Sequence, residues 1–257
     1  MRISKLFLYD EPSIPEIRIN ELAEFIQKQS GISTEVRQSF FQHFHVQEKT
    51  FQQLAACRVF NPYVPFEKHM PTAEEITFEK QLEETTHTSN NIILYDGFEL
   101  QNIFRDIIPD SELSSDEFHI IFTTRLTCSY DYDDYRYHGR AVICSNPSII
   151  STTGMIEAPA KPCDYYLRLH EKISQGLNLD TIKQEFRGRF LEYHDERLRL
   201  VVRGYALQAI FYHLTGIPFC ESKKCILHNA HWQEELLHAQ IEMGKLCDQH
   251  QNTLDNL

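Results

Sequence analysis

The sequence carries no surplus of positive charge. Its 25 Lys and Arg face 37 Asp and Glu in 257 residues, a formal net charge of −12. General nucleic-acid binding needs a basic surface against phosphate, so that class is excluded. No apolar run approaches the roughly 20 residues of a membrane helix. The short apolar stretch at residues 6–9 is followed at once by acids, which does not fit the core of a secretory signal. These absences predict a cytoplasmic protein with neither a membrane nor a nucleic-acid partner. The seven cysteines are an odd number, and in a reducing compartment they read as thiols or metal ligands rather than as a disulfide framework. A GxSxG elbow, a Walker A loop and GxGxxG are all missing, and there is no internal repeat or low-complexity segment.

What is present suffices for a sizeable core: 42% hydrophobic and 12% aromatic residues. KLFLYD predicts a strand, the periodic run from Ile19 through Leu22, Ala23 and Ile26 to Gly31 a helix, and STEVRQSFF a second strand. This β-α-β opening suits parallel pairing. Residues 60–90 contain Pro62, Pro65 and Pro71, a helix-like acidic run, PTAEEITFEKQLEET, and a loop, THTSNN. They are expected to form a surface excursion. GFELQNIFRDIIP predicts a helix with Phe98, Ile103 and Ile107 on one face. FHIIFTTRL is apolar without alternation, as expected of a central strand. SYDYDDYRYHG reads as a polar turn before a strand at RAVICS, and Gly154 as a turn.

The C-terminal half reads as helical. Helices are expected at DYYLRLHEKISQG, at LDTIKQEFRGRF, from Asp195 as N-cap to a stop at Gly216, and from about Asn229 to Leu246. Leu198, Val202, Ala206, Ala209 and His213 form an i, i+4 line on the third of these.

The ligand-bearing residues gather at the end of the chain. Cys220 and Cys225 bracket a charged tetrapeptide, ESKK; after 21 further residues come Cys247 and His250, with two residues between them. Thiolates with a neutral imidazole are the donors a tetrahedral zinc takes, so these four residues are the candidate ligands of one structural zinc. His228, His231 and His238 are the competing imidazoles.

The stretch H-x2-G-x3-C-x4-C, at His213, Gly216, Cys220 and Cys225, resembles the archaemetzincins, zinc metallopeptidases of the metzincin clan. The phrases SIISTTGMIEAPAKP and NAHWQEE also resemble an archaeal family of metallopeptidase-like proteins. The resemblance implies HExxHxxGxxH around a catalytic zinc and a four-cysteine structural zinc. This chain departs from it at Ala209 and Phe219, where the first and third histidines would stand, and at Ile210, where the general-base glutamate would stand; Leu227 replaces a methionine. Ala and Phe offer no lone pair, and Ile takes no proton. The structural ligand positions persist, His250 replacing a cysteine.

The expectation is therefore an α+β, zincin-like single domain over residues 1–257. It has a mixed β-sheet, packed helices and a C-terminal zinc knuckle within residues 219–257. It would bind a peptide or protein without cleaving it. The alternative is a hydrolase with a rebuilt site at His213 and Glu157, with His138, His194, Glu192, Asp131, Asp133 and Asp134 as further candidates.

Overall fold

The computed structural model describes residues 2–84 and 92–255; the THTSNN segment lies outside them. In chain order the elements are β1 (Lys5–Tyr9), α1 (Ile19–Ser30), β2 (Ser33–Arg37), α2 (Phe40–Phe44), α3 (Glu48–Ala56), β3 (Arg58–Val59), α4 (Ala73–Glu84), β4 (Leu94–Asp96), α5 (Gly97–Ile107), β5 (Glu117–Thr123), β6 (Leu126–Asp131), β7 (Arg136–Arg140), β8 (Val142–Ile143) and β9 (Ser148–Ser151). The C-terminal elements are α6 (Thr152–Glu157), α7 (Cys163–Ser174), α8 (Asp180–Glu185), α9 (Leu198–Thr215), α10 (Gln233–Leu237), a π-helical turn (His238–Met243) and α11 (Asp248–Asp255). The α+β reading holds, with two mixed sheets instead of one.

The larger sheet has the order β2-β1-β5-β9-β8. β1 pairs parallel with both β2 and β5, and β9 parallel with β5, while β8 runs antiparallel on the edge. The unbroken apolar run of β5 follows from its central place, because both faces are covered. Leu6, Leu8, Phe118, Ile120 and Ile150 point into a core built with α1 and α9. Phe7, Tyr9, Ile121 and Ile149 point the other way, into a second core built with α2 and α5. The smaller sheet, β3-β4-β6-β7, stands beside it.

Several boundaries differ from the sequence reading, each for a local reason. The second strand stops at Arg37, because the Ser39 hydroxyl accepts from Gln42 N–H and caps a helix at Phe40. SYDYDDYRYHG is not merely a turn; it supplies most of the β6–β7 hairpin, with Tyr130 opposite Tyr137. Gly154 sits inside α6. A Cβ there would come within 2.4 Å of the Arg140 carbonyl oxygen, so the glycine permits α6 to pass close to β7. Phe98 leaves the buried face of α5 and is 55% exposed. Asp195 does not cap α9 directly; it holds Arg197 by both backbone and guanidinium, and the helix starts at Leu198. The final helix is split. Backbone bonds from Ala160 N–H to His231 and from Gln233 N–H to Ala160 keep Trp232 extended, so α10 starts only at Gln233, and Gly244 ends the π turn in the left-handed region. Of the 60–90 region, residues 60–70 expose Phe60, Tyr63, Phe66 and Met70, whereas α4 plants Glu79 in the interior at 0% exposure.

Candidate metal centre and adjoining cleft

Helix α9 ends at Gly216, whose φ of 78° closes the last turn as a left-handed cap. The chain then turns at residues 217–219 and enters a tight finger. Cys220 N–H donates to the Leu227 carbonyl at 3.0 Å, Cys225 N–H to Ser222 at 3.0 Å and His228 N–H to Cys225 at 2.9 Å. Ile226 and Leu227, at the root of the finger, are buried. Ile226 N–H donates to Lys245 at 2.8 Å, which draws the segment before α11 alongside. The Cys247 N–H points at the Cys225 sulfur, 3.5 Å away, and the His250 ring lies edge-on to Phe211 of α9.

The result is a convergence of four donors. The sulfurs of Cys220, Cys225 and Cys247 and one ring nitrogen of His250 all lie within 4.8 Å of one another. Cys220 Sγ to Cys247 Sγ is 4.0 Å, Cys225 Sγ to His250 Nδ1 is 3.9 Å, and Cys247 Sγ to His250 Nδ1 is 3.0 Å. A tetrahedral zinc with bonds of about 2.3 Å to sulfur and 2.0–2.1 Å to nitrogen separates its donors by roughly 3.5–3.8 Å. The donor set fits such an ion; the 3.9 and 4.0 Å pairs lie close to that spacing, whereas Cys247 and His250, at hydrogen-bond distance, would open by about half an ångström around it. Burial pushes the Cys225 thiol up to about 12. Burial also opposes the Cys247 thiolate, but hydrogen bonds from His250 overcome it and bring that thiol down to about 7. A cation at the centre is what would hold both as thiolates. The competing histidines lie outside the cluster: His238 bonds Glu242 at 2.6 Å, His231 is exposed, and His228 Nδ1 bonds the Cys220 carbonyl at 3.2 Å.

Ala209 and Ile210 are fully buried in the core shared by α9 and the sheet. His213 is half-buried on the face toward β5. Its ring packs on Phe118, its Nε2 lies 3.3 Å from the Ser115 carbonyl oxygen, and burial lowers its pKa. Glu157 is held elsewhere, 3.7 Å from Lys161 and hydrogen-bonded to Tyr193. It closes α6, which starts at the C-terminal end of β5, whereas His213 meets the segment before the N-terminal end. The structure does not bring these two residues together. Asp131, Asp134 and His138 do meet on the β6–β7 hairpin, where Asp134 is 2.7 Å from both Arg136 and His138. His194 pairs with Glu16, and Glu192 and Asp133 are exposed.

A cleft of about 460 Å³ opens beside the finger, between the edge strand β8 and α9. The helix contributes Tyr205, Gln208 and Tyr212, and Phe219 and His228 close it on the finger side. Gln208 is 2% exposed; its Nε2 donates to the His228 carbonyl, and its Oε1 has no partner among the described residues. Sequence reading followed the apolar line of α9 and passed over this face. The signal was present as polar-capable residues at 205, 208 and 212, spaced by three and four.

A family model described as "Probable metallopeptidase family (DUF6775)" matches residues 2–257. No curated protein matches. Among solved structures, the crystal structure of archaemetzincin from Methanopyrus kandleri is similar, with a TM-score of 0.47 and 11% identity over 99% of this chain and 94% of that one.

Proposed function

The chain belongs to this probable metallopeptidase family, and from that premise we propose that its metal is structural and that its cleft binds a peptide or protein segment without hydrolysing it. One zinc is held by Cys220, Cys225, Cys247 and His250. The observation that carries the reading is the convergence of those four donor atoms within 4.8 Å. A zinc there joins the finger after α9 to the head of α11 and supplies folding energy to a segment with little core of its own.

Three observations support the non-hydrolytic half. The positions of the first histidine and of the glutamate in the resembled motif are taken by buried Ala209 and Ile210. The third position, Phe219, forms part of the cleft wall. Among the described residues, the groups of three or more metal-capable side chains are the knuckle and the hairpin trio Asp131, Asp134 and His138. A hydrolytic zinc needs three ligands with an open position and a base to take the proton of bound water. The peptide half rests on β8. Its outer edge borders the cleft, so an extended segment can add to the sheet there through main-chain hydrogen bonds.

Metal analysis of the purified protein tests the reading. One zinc per chain is expected, with no chelator-sensitive cleavage of a fluorogenic peptide library. Two zinc ions per chain, the second lost together with peptidase activity in His213→Ala, would sink it.

A further inference from the structure

We propose that the cleft between β8 and α9 selects an extended partner segment rich in carboxylate side chains; this rests on the peptide-binding reading above and specifies its ligand. The chain has 37 acidic residues and a net charge of −12, yet no Asp or Glu lines this cleft among the described residues. Arg140, His138, His228 and His231 do line it, with the Asn229 amide. Asp131 and Asp134 stand behind Arg140 and His138, but the lining itself presents a guanidinium and no carboxylate, so the cleft is less negative than the surface around it. It attracts cationic segments less than the surrounding surface does and favours anionic ones.

The charges behind the rim limit which groups act. Asp134 engages His138 at 2.7 Å, and Asp131 lies 3.7 Å from Arg140, whose Nε donates to Ser129 Oγ at 2.8 Å. Glu235 accepts from the backbone N–H of His231, leaving the imidazole outside that bond. Arg140 and His231 are thus the groups placed to receive a carboxylate, and a guanidinium matches that anion in a two-pronged manner.

The floor of the cleft argues for a peptide as the carrier of the carboxylates. Gln208 Oε1 is buried and has no partner among the described residues. His228 is engaged through Nδ1, which donates to the Cys220 carbonyl at 3.2 Å. Leaving a buried acceptor unpaired forfeits the hydrogen bond that water would give it. Main-chain N–H groups of an extended segment would satisfy it. A phosphate-rich ligand has oxygens at the same place and would leave it unpaired.

The test is selection of a random heptapeptide display library on the zinc-loaded full-length chain. The best peptide is then synthesised with blocked ends, both as selected and with every Asp and Glu replaced by its amide. Enrichment of Asp and Glu over the input library is expected, and the amide version should bind roughly ten-fold more weakly in fluorescence anisotropy. Arg140→Gln or His231→Gln should erase most of that difference, whereas Gln208→Leu should weaken both peptides alike. Equal binding of the two versions to the unaltered chain, with Gln208→Leu still weakening them, overturns the acid preference and leaves the peptide cleft standing. Failure to select any peptide, or binding indifferent to all three substitutions, overturns the cleft reading as well. A single-stranded oligonucleotide that displaces the peptide at lower concentration would make the ligand a nucleic acid and also overturn the proposal.

Discussion

At the scale of single residues, the decisive side chains are those whose surroundings leave no substitute. Cys225 is the buried member of the donor cluster, at 0% exposure. Cys225→Ser is expected to abolish binding of the proposed zinc and lower the melting temperature by at least about 10 °C, since chains of this size lose roughly 2–4 °C per kcal/mol. Calorimetry with parallel metal analysis reads both effects, and an unchanged melt would show that the site contributes nothing to folding. A second residue-level case is Arg37, which grips Glu112 by two hydrogen bonds of 2.6 and 3.1 Å. Those bonds hold the Glu112 carboxyl below the usual range. A folded-state value below the unfolded one of about 4.3 gives stabilisation that is complete above it and is lost as pH falls through the folded value. Arg37→Met should therefore lower stability at neutral pH and flatten the acid limb of the stability profile below about pH 5. A limb of unchanged slope in urea titrations would count against the assignment.

At the scale of elements, the placement of α4 shows how a polar group can fix a helix that the hydrophobic pattern leaves loose. Its Glu79 accepts from Arg58 at 2.7 Å, Arg125 at 2.9 Å and the Tyr95 hydroxyl at 2.8 Å, all buried. The acidic run predicted the helix, but not that one of its acids would be interior. That depends on Arg58, Tyr95 and Arg125, which belong to β3, β4 and the turn before β6. Glu79→Gln leaves the buried Arg125 without this counter-charge and Arg58 with Glu75 alone, 3.5 Å away, and should cost about 3–5 kcal/mol, measured by denaturant unfolding. A cost below 1 kcal/mol would mean that water, not Glu79, balances the arginines. Helix α9 teaches a related lesson. Its apolar i, i+4 line marks the core face correctly through Ala209, while the cleft residues Tyr205, Gln208 and Tyr212 run along the flank of that line, Tyr205 sharing its core.

At the scale of the whole molecule, the finger, the segment 245–247 and α11 form a unit joined to the rest through Phe211, Ile226 and Leu227. Chelator treatment should release hydrogen-exchange protection in residues 220–228 and 245–255 first, while β1, β5 and β9 stay protected. Uniform loss across the chain would show that the metal supports the entire fold. No helix among the described residues is long and apolar enough to cross a membrane. By itself the sequence determined the β-α-β opening, the central position of FHIIFTTRL, the stop of α9 at Gly216 and the nearness of each cysteine or histidine pair. These follow from spacing and local backbone preference, which act over a few residues. Only the tertiary structure decided that the two pairs meet, that β6 and β7 form a hairpin, that Glu79 goes inside, and that a cleft free of acids opens against α9. Each of these depends on groups far apart in the chain, whose approach is set by the packing of two cores on either face of one sheet.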